Sequence, residues 1–255
     1  MVDALIGSTG FVGGNLARQT HFDESYNSRN IEAIADRKFG LLVCSGAPAE
    51  KWRANQDPVA DLANIERLMH CLAKVSADEV VLISTVDVYP DPVAVDEDAI
   101  IDPARVHPYG KHRLLLEAFV SARFHTTVVR LPGLFGPGLK KNIVFDLLHG
   151  NRVDQVHCDS VFQFYDLNHL WRDISIARQS RLQRVNFATE PTSVREVARA
   201  GFGIDFQNRP STTPARYDFR SRHAALFGGS GEYLYDKQQV LSGLAAFVAS
   251  ARAEP

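Results

Sequence analysis

Residues 2–14 read VDALIGSTGFVGG, an apolar run that ends in a glycine-rich turn. The apolar start predicts a short buried strand, and the pattern from Phe11 to Thr20 predicts the helix that follows it. Because glycine has no Cβ, Gly7, Gly10 and Gly13 let the backbone turn tightly and approach a diphosphate closely. The N–H groups and the dipole at the start of the helix then favour the anion. The stretch predicts a dinucleotide-binding turn, with a turn that only packs helix on strand as the alternative.

Strands and helices alternate along the first half of the chain. Apolar runs and helical spacing predict strands at 41–44, 80–84 and 126–131, and helices at 57–74 and 109–123. Such alternation favours a parallel sheet with helices on both faces, and right-handed crossovers leave few ways to connect it. We therefore expect an α/β fold, a doubly wound parallel sheet.

The pattern changes after residue 138, next to a segment rich in glycine and proline. Short helices are predicted at 141–149, 167–179 and 236–251, a strand at 184–188, and a loop at 203–232. We expect two regions: a nucleotide-binding core at 1–138 and, at 139–255, a mainly substrate-binding cap with elements that return to the core.

Composition and charge exclude several classes of protein. Of the 255 residues, 45% are hydrophobic and 23% are charged, which is typical of a soluble globular chain. The formal net charge of −2 lacks the basic excess of a nucleic-acid-binding protein, and no apolar run approaches the ~18–20 residues of a transmembrane helix. The three cysteines have no metal-ligand spacing, so we expect no metal site and a reducing, cytoplasmic compartment.

Two further stretches place hydroxyl groups where they can act on a ligand. Ser84 and Thr85 end a predicted strand, and ligands bind at the carboxyl ends of strands in open α/β sheets. Tyr109 begins a predicted helix, and a cation four residues later shares its helix face. Such a cation lowers the pKa of a tyrosine, which then transfers protons more readily. Thr85 is therefore predicted to hold a substrate oxygen beside Tyr109.

These motifs together resemble the extended short-chain dehydrogenase/reductases, which include nucleotide-sugar epimerases, dehydratases and reductases. The likeness is carried by Gly7-x-x-Gly10-x-x-Gly13, Ser84-Thr85 before Val88-Tyr89, Pro108-Tyr109-Gly110, residues 130–138 (RLPGLFGPG) and, more weakly, residues 184–196. The resemblance implies a Rossmann-type sheet, a nicotinamide dinucleotide cofactor and hydride transfer at a nucleotide sugar. It also implies a homodimer through the helix that Tyr109 begins, with packing of that helix on the chain's own sheet as the alternative.

The resemblance implies a role for each matching position. Tyr109 would be the general acid/base at the substrate carbonyl or hydroxyl, and Thr85 would hydrogen-bond the same oxygen. The implied cofactor contacts are Gly7, Thr9, Gly10, Phe11, Val12, Gly13, Ala47, Pro48, Ser84 and Pro132.

Position 113 departs from the family, which has lysine four residues after the tyrosine. Arg113 keeps the positive charge, so it is expected to lower the pKa of Tyr109 and to hold a ribose hydroxyl, but arginine does not release a proton. Asp87, two residues after Thr85, is expected either to act as a base or to cap the turn after the strand. Two functions stay open: an NAD(P)-dependent oxidoreductase, epimerase or dehydratase, and a catalytically weakened NAD(P)-binding sensor.

The segment after the first helix bears on the choice of cofactor. Ser28, Arg29 and Asn30 lie where NAD enzymes carry an acidic residue, and arginine binds a 2′-phosphate through paired N–H donors. These residues favour NADP. NAD is the alternative if an irregular second strand brings Asp23 or Glu24 to the ribose.

Overall fold

A computed structural model describes residues 1–253 of the chain. Its strands are β1 (Ala4–Ile6), β2 (Glu24–Tyr26), β3 (Lys38–Cys44), β4 (Ser76–Thr85), β5 (Thr126–Leu131), β6 (Gly133–Phe135), β7 (Val161–Phe162), β8 (Phe164–Asp166), β9 (Arg184–Asn186) and β10 (Thr192–Ser193). Its helices are α1 (Phe11–Gln19), α2 (Lys51–Gln56), α3 (Pro58–Leu72), α4 (Pro108–Arg123), α5 (Ile143–His149), α6 (Leu170–Gln179), α7 (Val194–Phe202) and α8 (Lys237–Ala253). None of these helices has the length and apolar character needed to cross a membrane.

The chain divides into two compact units. The first contains Met1–Asp91, Ala99–Leu131 and Leu170–Val185. The second contains Pro92–Asp98, Pro132–His169 and the residues from Asn186 onward. The chain therefore leaves the first unit after β5 and returns to it for α6 and the start of β9. The functional roles predicted for 1–138 and 139–255 stay predictions.

Within the described residues, the main sheet has six strands in the order β2-β1-β3-β4-β5-β9. β1 pairs in parallel with both β2 and β3, and β3, β4 and β5 continue in parallel. The strand order reverses at β1, because β2 lies on one side of it and β3 on the other. Open parallel sheets bind ligands outside the carboxyl ends of the strands at such a reversal. The predicted α/β fold with a doubly wound parallel sheet is confirmed.

Burial explains why the strands read as apolar runs in the sequence. Every residue of β1 and β5 is buried, and so is the carboxyl half of β4. Consecutive buried residues mean that both faces of the sheet are covered, as in α/β proteins. The core that α3 and α4 share with the sheet includes Ile6, Leu42, Leu82, Val128, Ile65, Leu68, Leu116 and Val120. In α4, Leu115 is exposed while Leu116 packs in this core, and a homodimer through the helix stays a prediction.

The second unit is held by short strand pairs and a buried carboxylate. β6 pairs with β8 in parallel, and β7 pairs with β10 in antiparallel fashion. Glu97 accepts hydrogen bonds from the N–H of Asn186 (2.7 Å), the hydroxyl of Ser221 (2.7 Å) and the N–H of Arg222 (3.0 Å). These bonds fix part of the segment that the sequence predicts as loop. The 3₁₀ turn Ala224–Phe227 lies in the same segment.

The structure contains several elements that were not predicted, among them α7, β6, β7, β8 and β10, and three further differences concern β2, the helices α2 and α3, and β9. β2 was not predicted, because it is three residues long and only Tyr26 is buried. A strand this short shows no detectable alternation of apolar and polar residues. α2 and α3 are separate helices, since Asp57 has a non-helical backbone (φ −127°, ψ 79°) and caps α3 by accepting the N–H of Ala60 (3.0 Å). The predicted strand at 184–188 ends at Asn186.

Candidate active site

The glycine turn after β1 is tightly closed. Gly7 has a φ of +87°, and its N–H donates to the carbonyl of Tyr26 at the end of β2 (2.8 Å). A Cβ on Gly7 would collide with the carbonyl of Ser45, and a Cβ on Gly13 would collide with the carbonyl of Gly7. α1 begins after Gly10 without a side-chain cap, so its first-turn N–H groups can serve an anion. Only glycine fits at two positions of this turn.

Other predicted cofactor contacts follow the carboxyl ends of strands. Thr9 is exposed in the glycine turn, Phe11 and Val12 begin α1, Ala47 and Pro48 follow β3, and Pro132 follows β5. Because β1 and β3 are parallel neighbours, the first five of these residues belong to one edge of the sheet. The hydroxyl of Ser84 donates to Glu117 (2.6 Å) inside the core, and its cofactor contact stays a prediction.

Thr85 and Tyr109 are brought together as the sequence predicts. Thr85 ends β4, and a side-chain hydrogen bond joins it to Tyr109 in the first turn of α4. The Thr85 Oγ1 also accepts the N–H of Asp87 (3.1 Å). Helix α4 can approach this turn because Gly110 has no side chain, and a Cβ there would collide with the carbonyl of Asp87. Their catalytic roles stay predictions.

Burial controls the ionisation of Tyr109. The residue is 8% exposed, and this desolvation raises the pKa of its phenol, although the positive charge of Arg113 acts in the opposite direction. The guanidinium carbon lies 4.0 Å from the centroid of the tyrosine ring. The expected effect of Arg113, which lowers the pKa of Tyr109, is present, but burial outweighs it and the pKa is raised overall.

Both terminal nitrogens of Arg113 are bonded to protein groups, whereas its Nε is buried without a hydrogen-bond partner. It forms a bidentate ion pair with Asp61, in which Nη1 donates to Oδ2 and Nη2 donates to Oδ1 (2.8 Å). Nη2 also donates to the carbonyl of Pro48 (2.5 Å), and Nη1 donates to the carbonyl of Tyr109 (3.0 Å). These acceptors take both terminal nitrogens, so only Nε is left as a donor, and the ribose contact stays a prediction. Arg113 fixes α4 to α3 and to the segment after β3.

Asp61 is the partner that the sequence reasoning missed. Burial raises the pKa of this carboxyl, but hydrogen bonds from Arg113 and His112 outweigh burial and lower it overall. A signal was present, because Asp61 lies on the apolar stripe of α3 with Ile65 and Leu68. An acidic residue on such a stripe is buried only when it has a partner.

Asp87 lies in a small group of polar side chains beside Tyr109. Its Oδ1 lies 2.7 Å from Nζ of Lys51 in the first turn of α2, so the carboxylate forms an ion pair, and its predicted role as a base or a cap stays a prediction. His107 stacks on Tyr109 with ring centroids 6.3 Å apart, and its Nδ1 accepts the N–H of Gly110 (3.3 Å). Burial, and next the charge of Lys51, lower the pKa of His107, which favours the neutral acceptor. Sequence reasoning had left Lys51 and His107 without a catalytic role.

The residues predicted to select the cofactor lie directly after β2. Ser28, Arg29 and Asn30 are exposed, and Arg67 of α3 approaches the carbonyl of Ser28 (3.3 Å). The carbonyl of Tyr26, at the end of the same strand, accepts the N–H of the first glycine of the turn. The segment 28–30 therefore lies beside the glycine turn.

The acidic alternative lies at the other end of β2. Asp23 accepts the N–H of Asp3 (2.8 Å), and Glu24 pairs with Arg37 and with the hydroxyl of Tyr26. Because β2 runs parallel to β1, its first residue is remote from the carboxyl edge. The idea that an irregular strand brings Asp23 or Glu24 to a ribose is wrong.

A group of side chains with metal-ligand chemistry occurs in the second unit. Possible ligand atoms of His157, Cys158 and Asp159 lie within 4.8 Å of one another. Arg195 donates to Asp159 (2.9 Å) and to the sulfur of Cys158 (3.2 Å). The guanidinium places positive charge among these atoms, which opposes a second cation there.

Comparison with known proteins was made at the level of sequence and of structure. No family model and no curated protein matches the chain. Among solved structures, it is similar to TunA, an NAD-dependent NDP-hexosamine 5,6-dehydratase involved in tunicamycin biosynthesis, with a TM-score of 0.76 and 19% identity over 100% of this chain and 99% of that chain. The chain has the fold of the extended short-chain dehydrogenase/reductases. The resemblance drawn from the motifs is thus confirmed for the fold.

Two further structures with the extended short-chain dehydrogenase/reductase fold are similar over nearly the whole chain. A dTDP-4-dehydrorhamnose reductase from Clostridium acetobutylicum matches with a TM-score of 0.73 and 17% identity, covering 99% of this chain and 100% of that chain. A UDP-glucose 4-epimerase from Thermotoga maritima, solved with UDP-glucose, matches with a TM-score of 0.72 and 15% identity, covering 99% of each chain. A dehydratase, a reductase and an epimerase therefore share this fold.

Proposed function

We propose that the chain is an NAD(P)-dependent enzyme that transfers a hydride to or from a nucleotide sugar or a related hydroxyl or carbonyl substrate. The observation that carries this proposal is the hydrogen-bonded pair of Thr85 and Tyr109 at the carboxyl end of β4. The three similar structures described above act, by their names, on sugars attached to nucleoside diphosphates. They support the substrate class.

The glycine turn fits the diphosphate of a dinucleotide. Gly7 and Gly13 leave no room for a Cβ, and α1 starts without a side-chain cap, so backbone N–H groups can approach an anion closely. Exposed Arg29, with Ser28 and Asn30 beside it, fits the additional phosphate of NADP. We therefore favour NADP as the cofactor and keep NAD as the alternative.

In the reaction, the bound nicotinamide would supply or accept the hydride. Thr85 would hydrogen-bond the reacting oxygen, and Tyr109 would move the proton at that oxygen. Because burial raises the pKa of Tyr109, its resting form at neutral pH is the protonated phenol. That form donates a proton to a carbonyl oxygen, so reduction of a carbonyl is the direction for which the free protein is prepared. Asp87 would act as a base only after its ion pair with Lys51 opens.

A second candidate is a binding protein of the same fold that has lost catalytic efficiency. The observation in its favour is the bidentate pair between Arg113 and Asp61, which occupies both terminal nitrogens of the guanidinium with a protein carboxylate. A sensor of this kind would bind the dinucleotide and show no turnover.

Calorimetric titration separates these functions. The purified protein, freed of any copurified nucleotide, is titrated with NADP⁺ and NAD⁺, and a panel of nucleotide sugars follows in the presence of the tighter cofactor. We expect tight binding of NADP⁺, binding of a nucleotide sugar to that complex, and turnover detected by absorbance of the reduced nicotinamide or by product analysis. Cofactor binding without any sugar response or turnover would favour the sensor, and failure of both dinucleotides to bind would overturn both functions.

Arg29→Ala tests the choice of cofactor. A hydrogen bond to a charged group contributes about 1.5–3 kcal/mol, so we expect NADP⁺ affinity to fall at least about tenfold while NAD⁺ affinity stays the same. Arg18→Ala is the matched control, because Arg18 is an exposed arginine in the last turn of α1, at the end of the helix away from the glycine turn. Equal losses for both dinucleotides would contradict recognition of the 2′-phosphate by Arg29.

A further inference from the structure

Tyr109 needs compensation of negative charge if its phenol is to ionise during a reaction. The ring is 8% exposed, and Asp87 places a carboxylate close enough to oppose formation of a phenolate. Arg113 is the cation nearest the ring, but its guanidinium is also bonded to Asp61 and cannot move away from it without leaving a buried charge unpaired. The charge that is placed to offset Asp87 therefore comes from another element.

Lys51 supplies that charge from α2. Its Nζ lies 2.7 Å from Oδ1 of Asp87, and the side chains are 39% and 18% exposed. The backbone N–H of Asp87 donates to Thr85 (3.1 Å), and Thr85 is hydrogen-bonded to Tyr109. The ion pair is thus connected to the tyrosine through the turn that follows β4.

We infer that Lys51 is a positioning residue for the proposed reaction, which holds Asp87 and offsets its negative charge so that Tyr109 can give up its proton. This inference rests on the proposed function for its catalytic meaning. This role requires a positive charge at the start of α2, which arginine can supply as well as lysine. Lys51 itself transfers no proton in it.

The charged and titratable groups around Tyr109 come from several elements. Arg113 lies on the same helix and Lys51 on α2, and both favour the phenolate, while Asp87 after β4 disfavours it. His107 at the start of α4 is a neutral acceptor toward the backbone. Removing Lys51 alone takes away the cation that lies 2.7 Å from Asp87, whereas removing both members of the pair cancels the two effects.

A double-mutant cycle tests this reasoning through the ionisation of Tyr109. The phenolate absorbance of the protein is followed against pH for wild type, Lys51→Met, Asp87→Asn and the double variant, each compared with its own Tyr109→Phe partner. We expect Lys51→Met to raise the pKa of Tyr109 by about half a unit or more, as for a partly exposed ion pair. Asp87→Asn is expected to lower the pKa, and the double variant to return close to wild type. Lys51→Arg is expected to retain the wild-type value.

Arg53→Met is the matched control for loss of a positive charge on α2. Arg53 is 72% exposed and pairs with Glu50 (3.4 Å), so the pKa of Tyr109 should not change. The same shifts should appear in the pH profile of kcat/KM if the proposed reaction occurs. The absorbance cycle needs no turnover, so it separates failure of this inference from failure of the proposed function. An unchanged pKa in Lys51→Met, or a variant that only raises KM, would overturn the inference and identify Lys51 as a substrate contact or a structural residue.

Discussion

Replacing Asp61 with asparagine is expected to destabilise the first unit strongly. Asp61 is 6% exposed, and its carboxylate takes both terminal nitrogens of Arg113 and lies 2.7 Å from Nδ1 of His112. Asparagine keeps the shape but removes the charge that balances a guanidinium whose side chain is 3% exposed. Loss of one partner from a buried ion pair costs about 3–5 kcal/mol, so Asp61→Asn should lower the free energy of unfolding by that amount.

Asp57→Asn is the matched control for this substitution. Asp57 lies one turn earlier, where its Oδ1 accepts the N–H of Ala60 (3.0 Å) as the cap of α3. Asparagine caps helices as well as aspartate does, so the free energy of unfolding should change by no more than about 0.5 kcal/mol.

Tryptophan fluorescence during urea and thermal unfolding provides the assay. Both tryptophans of the chain, Trp52 and Trp171, belong to the first unit, so the signal reports that unit. For a chain of this size 1 kcal/mol corresponds to about 2–4 °C, so Asp61→Asn should lower Tm by about 6–20 °C relative to Asp57→Asn. If the free energies of unfolding of these two variants differ by less than about 1 kcal/mol, the conclusion that the buried ion pair of Arg113 and Asp61 stabilises the folded state is refuted.

The pH dependence of this effect has a definite sign. Because its hydrogen bonds hold the pKa of Asp61 below its ordinary value of 3.8, the carboxylate stabilises the folded state fully at pH values above 3.8. The contribution is lost as pH falls through the lower folded-state pKa. The stability difference between Asp61→Asn and wild type should therefore be complete at pH 7 and shrink only in strong acid.

Two further predictions concern the glycine turn and the start of α4. Gly13→Ala should abolish tight dinucleotide binding, because its Cβ would collide with the carbonyl of Gly7. Gly14→Ala is the control and should bind normally in the same titration, because the atom nearest its Cβ would be 3.7 Å away. Because the pKa of His107 is lowered from 6.5, the unfolded chain binds the proton more readily, and this site should cost stability as pH falls below 6.5. His107→Asn keeps a capping side chain without titrating, so its unfolding midpoint should decline less between pH 7 and pH 5; an equal decline would contradict the assignment.

Local sequence pattern was sufficient for most of the core elements. The predicted strand at 126–131 has the bounds of β5, and the predicted helix at 109–123 differs from α4 by one residue. Such elements are buried on a face or throughout, so their periodicity carries the signal. β2 lacks that signal because it is three residues long and its middle residue is exposed.

The polar partners of the site could not be read from the sequence. Tyr109 and Thr85 were found because each belongs to a short motif at a strand end or helix start. The contacts of Arg113 with Asp61 and of Asp87 with Lys51 join residues on different helices and turns, and no local pattern specifies such pairs. Ser84 shows the same limit, since a strand places successive side chains on opposite faces and its hydroxyl points to Glu117 in the core.

The late return of the chain to its main sheet bears on synthesis at the ribosome. β5 acquires its outer neighbour, β9, only when residues 184–186 have emerged, although β1 to β5 are complete at residue 131. Until then the nascent chain carries an unpaired strand edge, the kind of surface through which unfinished proteins aggregate. A chain cut at residue 138 would keep that edge permanently. The sheet that positions the glycine turn and Tyr109 is therefore completed only by β9, which is translated long after them.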